Sequence, residues 1–254
     1  MPVRDRTLAA LTVACAVIAL ALAPARAQSP TVDDLVAKNL AAKGGVEKLR
    51  AVTSVRTTGR MKTARGSVAV TNWTKRPNWM RREVVADGQT QVVAFDGKTL
   101  WGINPLLSPK PQVITGPGAE RTLRDADDFD SALLDYQEKG SKIELVPGDS
   151  AGAGKGAIHL RLTKKNGGVQ DIFLNAATLL EDRITMEIEQ GGRKAVVATE
   201  LSNYKEVDGM MVPFVVRQTL NGQVQGEVVY DRIQFNLPLA DDLFRMPQSP
   251  DASR

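Results

Sequence analysis

The chain has 254 residues, a net charge of +4, 43% hydrophobic and 24% charged residues. These values are those of an ordinary folded protein and exclude a disordered or fibrous chain. Aromatic residues make up only 5%, so the core must be largely aliphatic.

Residues 1–27 read as a cleavable secretory signal. Arg4 and Arg6 precede an apolar run from Leu8 to Ala23, broken only by Thr12; Pro24 ends it, and Ala25-Arg26-Ala27 is an A-x-A cleavage site. The run is shorter than the ~20 residues of a spanning helix. Cys15 lies inside it, so the expected mature chain from Gln28 carries no thiol. Loss of Arg4, Arg6, Arg26 and Asp5 lowers the net charge from +4 to +2, which gives no reason to expect a nucleic-acid partner.

Thr31-Val32-Asp33-Asp34 predicts an N-cap with acids in the first helical turn. Val32, Leu35, Val36 and Leu40 then form one apolar stripe, and Gly44-Gly45 ends that helix. A second short helix is expected from Val46 to Val52. Beyond Ser54 the period changes to two. Val68 and Val70 alternate with Ala69 and Thr71; Ile158, Leu160 and Leu162 oppose His159, Arg161 and Thr163; Ile184, Met186 and Ile188 oppose Thr185, Glu187 and Glu189. Asp87-Gly88, Asp96-Gly97, Gly191-Gly192, Asp208-Gly209 and Asn221-Gly222 supply tight turns between these strands. The expectation is a mainly β (α+β) fold: an antiparallel meander, without the long crossovers that parallel strands require.

Between Asn104 and Lys142 the alternation fails. Pro105, Pro109, Pro111 and Pro117 predict a loop, and Asp125 to Glu138 reads as a helix with Phe129, Leu133, Leu134 and Tyr136 as its apolar residues. Such an insertion suits a cover over one mouth of the sheet. Residues 248–254 read as a disordered tail, leaving 28–247 as the folded domain.

No motif carries chemistry convincingly. Gly148-Asp149-Ser150-Ala151-Gly152 matches G-x-S-x-G, but a glycine-rich stretch leads from it into a strand, where a nucleophile elbow needs a helix. Asp125, Asp127, Asp128 and Asp130 lack the glycine and glutamate of an EF-hand loop and suit a helix start. A single histidine, His159, falls on the polar face of its strand and is expected to be exposed. The reading is therefore not an enzyme, with no cofactor and no metal.

Residues 66–105 carry a family likeness. They run through the aliphatic strand Gly66 to Val70, then Lys75-Arg76-Pro77-Asn78, then Asp96-Gly97-Lys98-Thr99-Leu100-Trp101, then Asn104-Pro105. This order resembles the LolA-like family of periplasmic outer-membrane lipoprotein carriers, as a divergent member. Asn236-Leu237-Pro238-Leu239 and Leu243-Phe244 fit that family's C-terminal ending. The resemblance implies an incomplete β-barrel whose apolar concave side is covered by a lid of N-terminal and inserted helices. It implies a soluble periplasmic carrier or chaperone that shields lipoprotein acyl chains or lipid. An inner-membrane exporter and an outer-membrane acceptor are its implied partners. Arg76 takes the position of the family's lid-gating arginine. The lipid-cavity candidates are Val68, Val70, Trp101, Ile158, Leu160, Leu162, Ile184, Met186 and Ile188; the lid candidates are Leu35, Leu40, Phe129 and Leu133. The alternative is an envelope-stress regulatory module of the same fold that contacts a membrane protein.

Overall fold

The computed structural model describes residues 30–63, 66–116, 119, 129–148, 156–190 and 192–248. The expected signal segment, residues 125–128 of the inserted helix, most of the Gly148–Gly152 loop and the tail beyond 248 lie outside the described residues.

Helix α1 (Val32–Ala42) opens with a capping box: the Thr31 hydroxyl accepts from the Asp34 N–H, and the Asp34 carboxylate accepts from the Thr31 N–H, both at 3.1 Å. It is followed by α2 (Val46–Arg50). The corner between them depends on Gly44 (φ +119°): a Cβ there would stand 2.4 Å from the Gly209 carbonyl oxygen.

Six strands follow: β1 (Ser54–Thr63), β2 (Gly66–Lys75), β3 (Trp79–Ala86), β4 (Gln89–Phe95), β5 (Leu100–Asn104) and β6 (Ser108–Val113). After the insertion come β7 (Lys142–Leu145), β8 (Ile158–Thr163), β9 (Val169–Leu174), β10 (Glu181–Gln190), β11 (Arg193–Val207), β12 (Met210–Leu220) and β13 (Gln223–Phe235). All thirteen form one antiparallel sheet, in the order β6-β5-β4-β3-β2-β1-β13-β12-β11-β10-β9-β8-β7. Two meanders are thus joined by their first and last strands, β1 and β13. Asp87-Gly88, Asp208-Gly209 and Asn221-Gly222 all take positive φ at both residues, as tight hairpins demand. The strands β6 and β7 do not meet, so the barrel is incomplete. Pro109 and Pro111 on β6 withhold ladder donors at that edge, which discourages further pairing.

Strand register divides the side chains between two faces. On the inner face Met80 pairs with Phe95, Ile172 with Leu160 and Ile184, Met186 with Val197, and Val228 with Met61 and Val216. At one end of this face Leu35, Val36 and Leu40 of α1 pack with Leu133 and Leu134 against Leu160, Leu162, Ile172 and Leu174. Each such burial contributes roughly 1.5–3 kcal/mol. At the other end Ile114 and Ala119 pack on Phe95, Leu100, Met80 and Val93. The insertion therefore leaves the sheet at β6 and returns at β7, and it packs on the inner face at both ends.

Over residues 129–140 the insertion is not helical. Residues 132–140 form successive turns, because Asp135 adopts φ +53°, outside the right-handed helical region. The expected helix over 125–138 is corrected for its described part, 129–138.

Gly59 sits where β1 meets β13 at a bulge, and a Cβ there would fall 2.3 Å from the Val229 carbonyl oxygen. Gly59→Ala is expected to destabilise the fold by about 1–3 kcal/mol. Urea unfolding measures it; a loss below about 0.5 kcal/mol would mean that the seam tolerates a side chain.

Candidate functional site

Between its two filled ends the inner face is open. A hollow of about 440 Å³ lies over β3, β2, β1, β13 and β12. Met80 and Arg82 of β3 line it together with Val216 and Gln218 of β12. Side chains from strands four places apart share one hollow only if the sheet curls around it, as large twisted sheets do. The lining mixes Val55, Met61, Val216 and Val228 with Thr57, Asn72, Arg82 and Tyr230. Met61, Val216 and Val228 are half-buried, so they present apolar area without being packed away. The size lies within the range of small-ligand sites.

The sequence candidates divide by position. Val68 and Val70 are on the inner face of β2, opposite Met61 and Gly59. Met186 and Ile188 lie on the inner face, half-buried. Ile158, Leu160, Leu162 and Ile184 also face inward, but they pack beneath α1 and residues 133–134, so they belong to the filled end. Trp101 departs from expectation. It lies on the outer face with Val92 and Ala94, fully buried, and its indole Nε1 donates to the Phe244 carbonyl at 2.8 Å. The reason is parity: Trp101 pairs with Ala94, whereas its neighbour Leu100 pairs with the inward Phe95. His159 also differs from the exposed position expected. It is 3% exposed, stacked on Phe173 at 4.4 Å and hydrogen-bonded to Asp171 at 2.8 Å, because Phe173 makes this part of the outer face apolar. Burial pushes the Asp171 carboxyl up, but Arg161 and His159 outweigh it and hold the group below its ordinary value.

Arg76 grips the cover. Its Nη1 and Nη2 donate to both oxygens of Asp130 at 2.7 and 2.6 Å, and its Nε donates to the Val52 carbonyl at 2.6 Å. The guanidinium also lies 4.7 Å from the centre of the Phe129 ring. The fork thus ties the end of α2 and the insertion to the end of β2. Lys75 works on the opposite side, where its Nζ donates to the Leu239 carbonyl and to Asp241. A second clamp joins Arg50 to Asp135 at 2.6 and 3.1 Å.

The sequence reading did not find Met61, Arg82, Val216, Val228 or Tyr230. Alternation alone would place Val216 and Val228 on one face, but only pairing shows which face is hollow.

Solved structures share this architecture. A putative outer-membrane lipoprotein-sorting protein domain from Vibrio parahaemolyticus is 16% identical, with a TM-score of 0.51 over 83% of this chain and 94% of that one. A LolA superfamily protein from Nitrosomonas europaea is 13% identical, at 0.52 over 85% and 98%. The fold is LolA-like. A DUF1329 family protein from Desulfovibrio piger has it too, at 13% identity and a TM-score of 0.55 over 85% and 98%. No family model and no curated protein matches the chain. Within this LolA-like fold, no helix among the described residues is long and apolar enough to cross a membrane. Among the same residues no cluster of His, Cys, Asp and Glu is placed to hold a metal.

Arg76→Ala is expected to raise hydrogen exchange over residues 129–140 by about five- to tenfold, since the ion pair is only partly buried. Unchanged exchange there would mean that hydrophobic packing and the Arg50–Asp135 clamp hold the insertion without Arg76. Acid should act on the second clamp. The Arg50 guanidinium holds Asp135 below the usual carboxylate range, against the opposing effect of burial. A depressed folded-state value means stabilisation that is complete above the unfolded value of about 3.9 and lost as pH falls through the folded one. Exchange over 129–140, corrected for its intrinsic pH dependence, should therefore rise below about pH 4. In Arg50→Ala this acid response should shrink.

Proposed function

We propose that the protein is a non-enzymatic periplasmic carrier that holds lipoprotein acyl chains or free lipid in the hollow of its half-barrel. The observation carrying this reading is the open, partly aliphatic middle of the inner face, between two ends that are already filled. An acyl chain gains roughly 0.8 kcal/mol for each CH₂ removed from water, and Met61, Val216 and Val228 offer it half-buried surface. Methionine adds adaptability, since thioether side chains conform to chains of differing shape.

The insertion bounds the hollow at both ends, and by lifting it would lengthen the space open to a chain. It is linked to both edges of the sheet and held at Asp130 and Asp135 by arginine clamps, so it can lift without disturbing the strand ladder. Arg76 is then the gating residue, with Phe129 and Leu133 on the moving side and Leu35 and Leu40 on the helical side. The signal-like segment supports export to the periplasm. The solved neighbour described as a lipoprotein-sorting domain supports lipoprotein cargo, with an inner-membrane donor and an outer-membrane acceptor as partners.

The test is native mass spectrometry of delipidated protein with a diacylated lipopeptide. A bound adduct is expected. Val216→Trp, which fills the hollow without adding charge, should weaken binding at least about tenfold, the equivalent of about two lost methylene burials. Absence of any adduct with the parent protein would end the carrier reading.

A further inference from the structure

The hollow is not uniformly greasy. Arg81 and Arg82 are neighbours on β3 and so point to opposite faces. Arg81 is satisfied outside, donating to Glu83 at 2.8 Å and to the Leu243 carbonyl at 3.0 Å. Arg82 points inward, and its side-chain hydrogen bond among the described residues goes to the Met61 sulfur at 3.2 Å, a weak acceptor. Its Nε is buried and finds no acceptor. Among the described residues no aspartate or glutamate lines the hollow. A half-buried guanidinium with a thioether as its acceptor and no carboxylate in the lining is under-satisfied, and an anion would complete it.

A second group points the same way. Asn72 Nδ2 donates to Thr57 Oγ1 at 2.9 Å, and Tyr230 stands in the same lining. Its phenolic O–H is a further donor in the same lining as Arg82. Burial pushes the Tyr230 hydroxyl up, with Arg82 and Thr57 acting in the other direction, so it remains a neutral donor at physiological pH. Charge-assisted donors of this kind bind carboxylate and phosphate strongly, and arginine does so with a planar fork.

We infer that the hollow takes a long-chain amphiphile with an anionic head group, a carboxylate or a phosphate, held by Arg82 and the Tyr230 hydroxyl. The alkyl chain then lies against Met61, Val216 and Val228. This rests on the lipid-carrier reading and narrows its ligand class.

The test measures binding of hexadecanoate, hexadecyl phosphate and hexadecanol to delipidated protein by calorimetry. Either anion, or both, should bind at least about tenfold more tightly than the alcohol, as expected for hydrogen bonds to a charged donor; which of the two binds better distinguishes the sources. Arg82→Met should bring the anions to the level of the alcohol and leave the alcohol unchanged, while Arg82→Lys should keep part of the preference. Tyr230→Phe should weaken the anions by about three- to tenfold and spare the alcohol; it carries the test if Arg82→Met fails to fold, as circular dichroism would show. Equal binding of acid, phosphate and alcohol by the parent protein would overturn the inference and leave lipid carriage standing. So would a preference that survives both Arg82→Met and Tyr230→Phe. Binding of none of the three would overturn both.

Discussion

The β1–β13 ladder places the first and last strands of the chain side by side at the centre of the sheet, and most of the remaining architecture follows from it. Two hairpin meanders run outward from this seam, so the free edges β6 and β7 end up as far apart in the sheet as possible. A sheet this wide with an apolar inner face curls to reduce its exposure to water. The segment that joins the two edges packs on the inner face at both ends, over Phe95 and Leu100 and over Leu160 and Leu162. The hollow is what those two plugs leave uncovered, and it lies over the seam itself. Gly59, at the bulge where a Cβ would run into the Val229 carbonyl of β13, is one of the few places in the sheet where no side chain fits.

The motif residues hold covers onto the sheet and do not line the hollow. Lys75 and Arg76 leave the end of β2 in opposite directions, one to the C-terminal segment at Leu239 and Asp241, the other to Asp130 of the insertion. Trp101 donates to Phe244 and closes the same C-terminal segment over Val92 and Ala94. Asp96 accepts from the N–H groups of Lys98 and Thr99, which shapes the turn between β4 and β5. Sequence signals of this kind stand out because caps, turns and clamps each need one residue type. A hollow wall needs only something apolar of roughly the right size, so the residues around the cavity leave no comparable mark.

The chemistry within the hollow is equally hidden along the chain. Arg82 and Tyr230 are 148 positions apart in sequence, and they share an environment because β3 and β13 lie on either side of β2 and β1. Bulges add to the difficulty. Asp231 is inserted opposite Thr58 and Gly59, and Gln225 opposite Gln218 and Thr219, and each insertion shifts the face of the residues beyond it. Counting by twos along β13 therefore fails partway.

What the sequence determined by itself was local. The capping box at Thr31, the Asp-Gly and Asn-Gly hairpins and the alternation along β8 and β10 follow from backbone geometry and neighbouring residues, and they were enough to specify an antiparallel meander. The likeness over residues 66–105 pointed to the half-barrel. Tertiary structure alone decided which face is hollow, which aliphatic residues are packed solid, and that Trp101 and His159 are buried on the outer side. It also turned the expected inserted helix into turns at Asp135, where the Arg50 clamp meets a left-handed residue. The physical reason is range: turns and caps are settled within a few residues, whereas burial depends on which distant strand or cover arrives at a face.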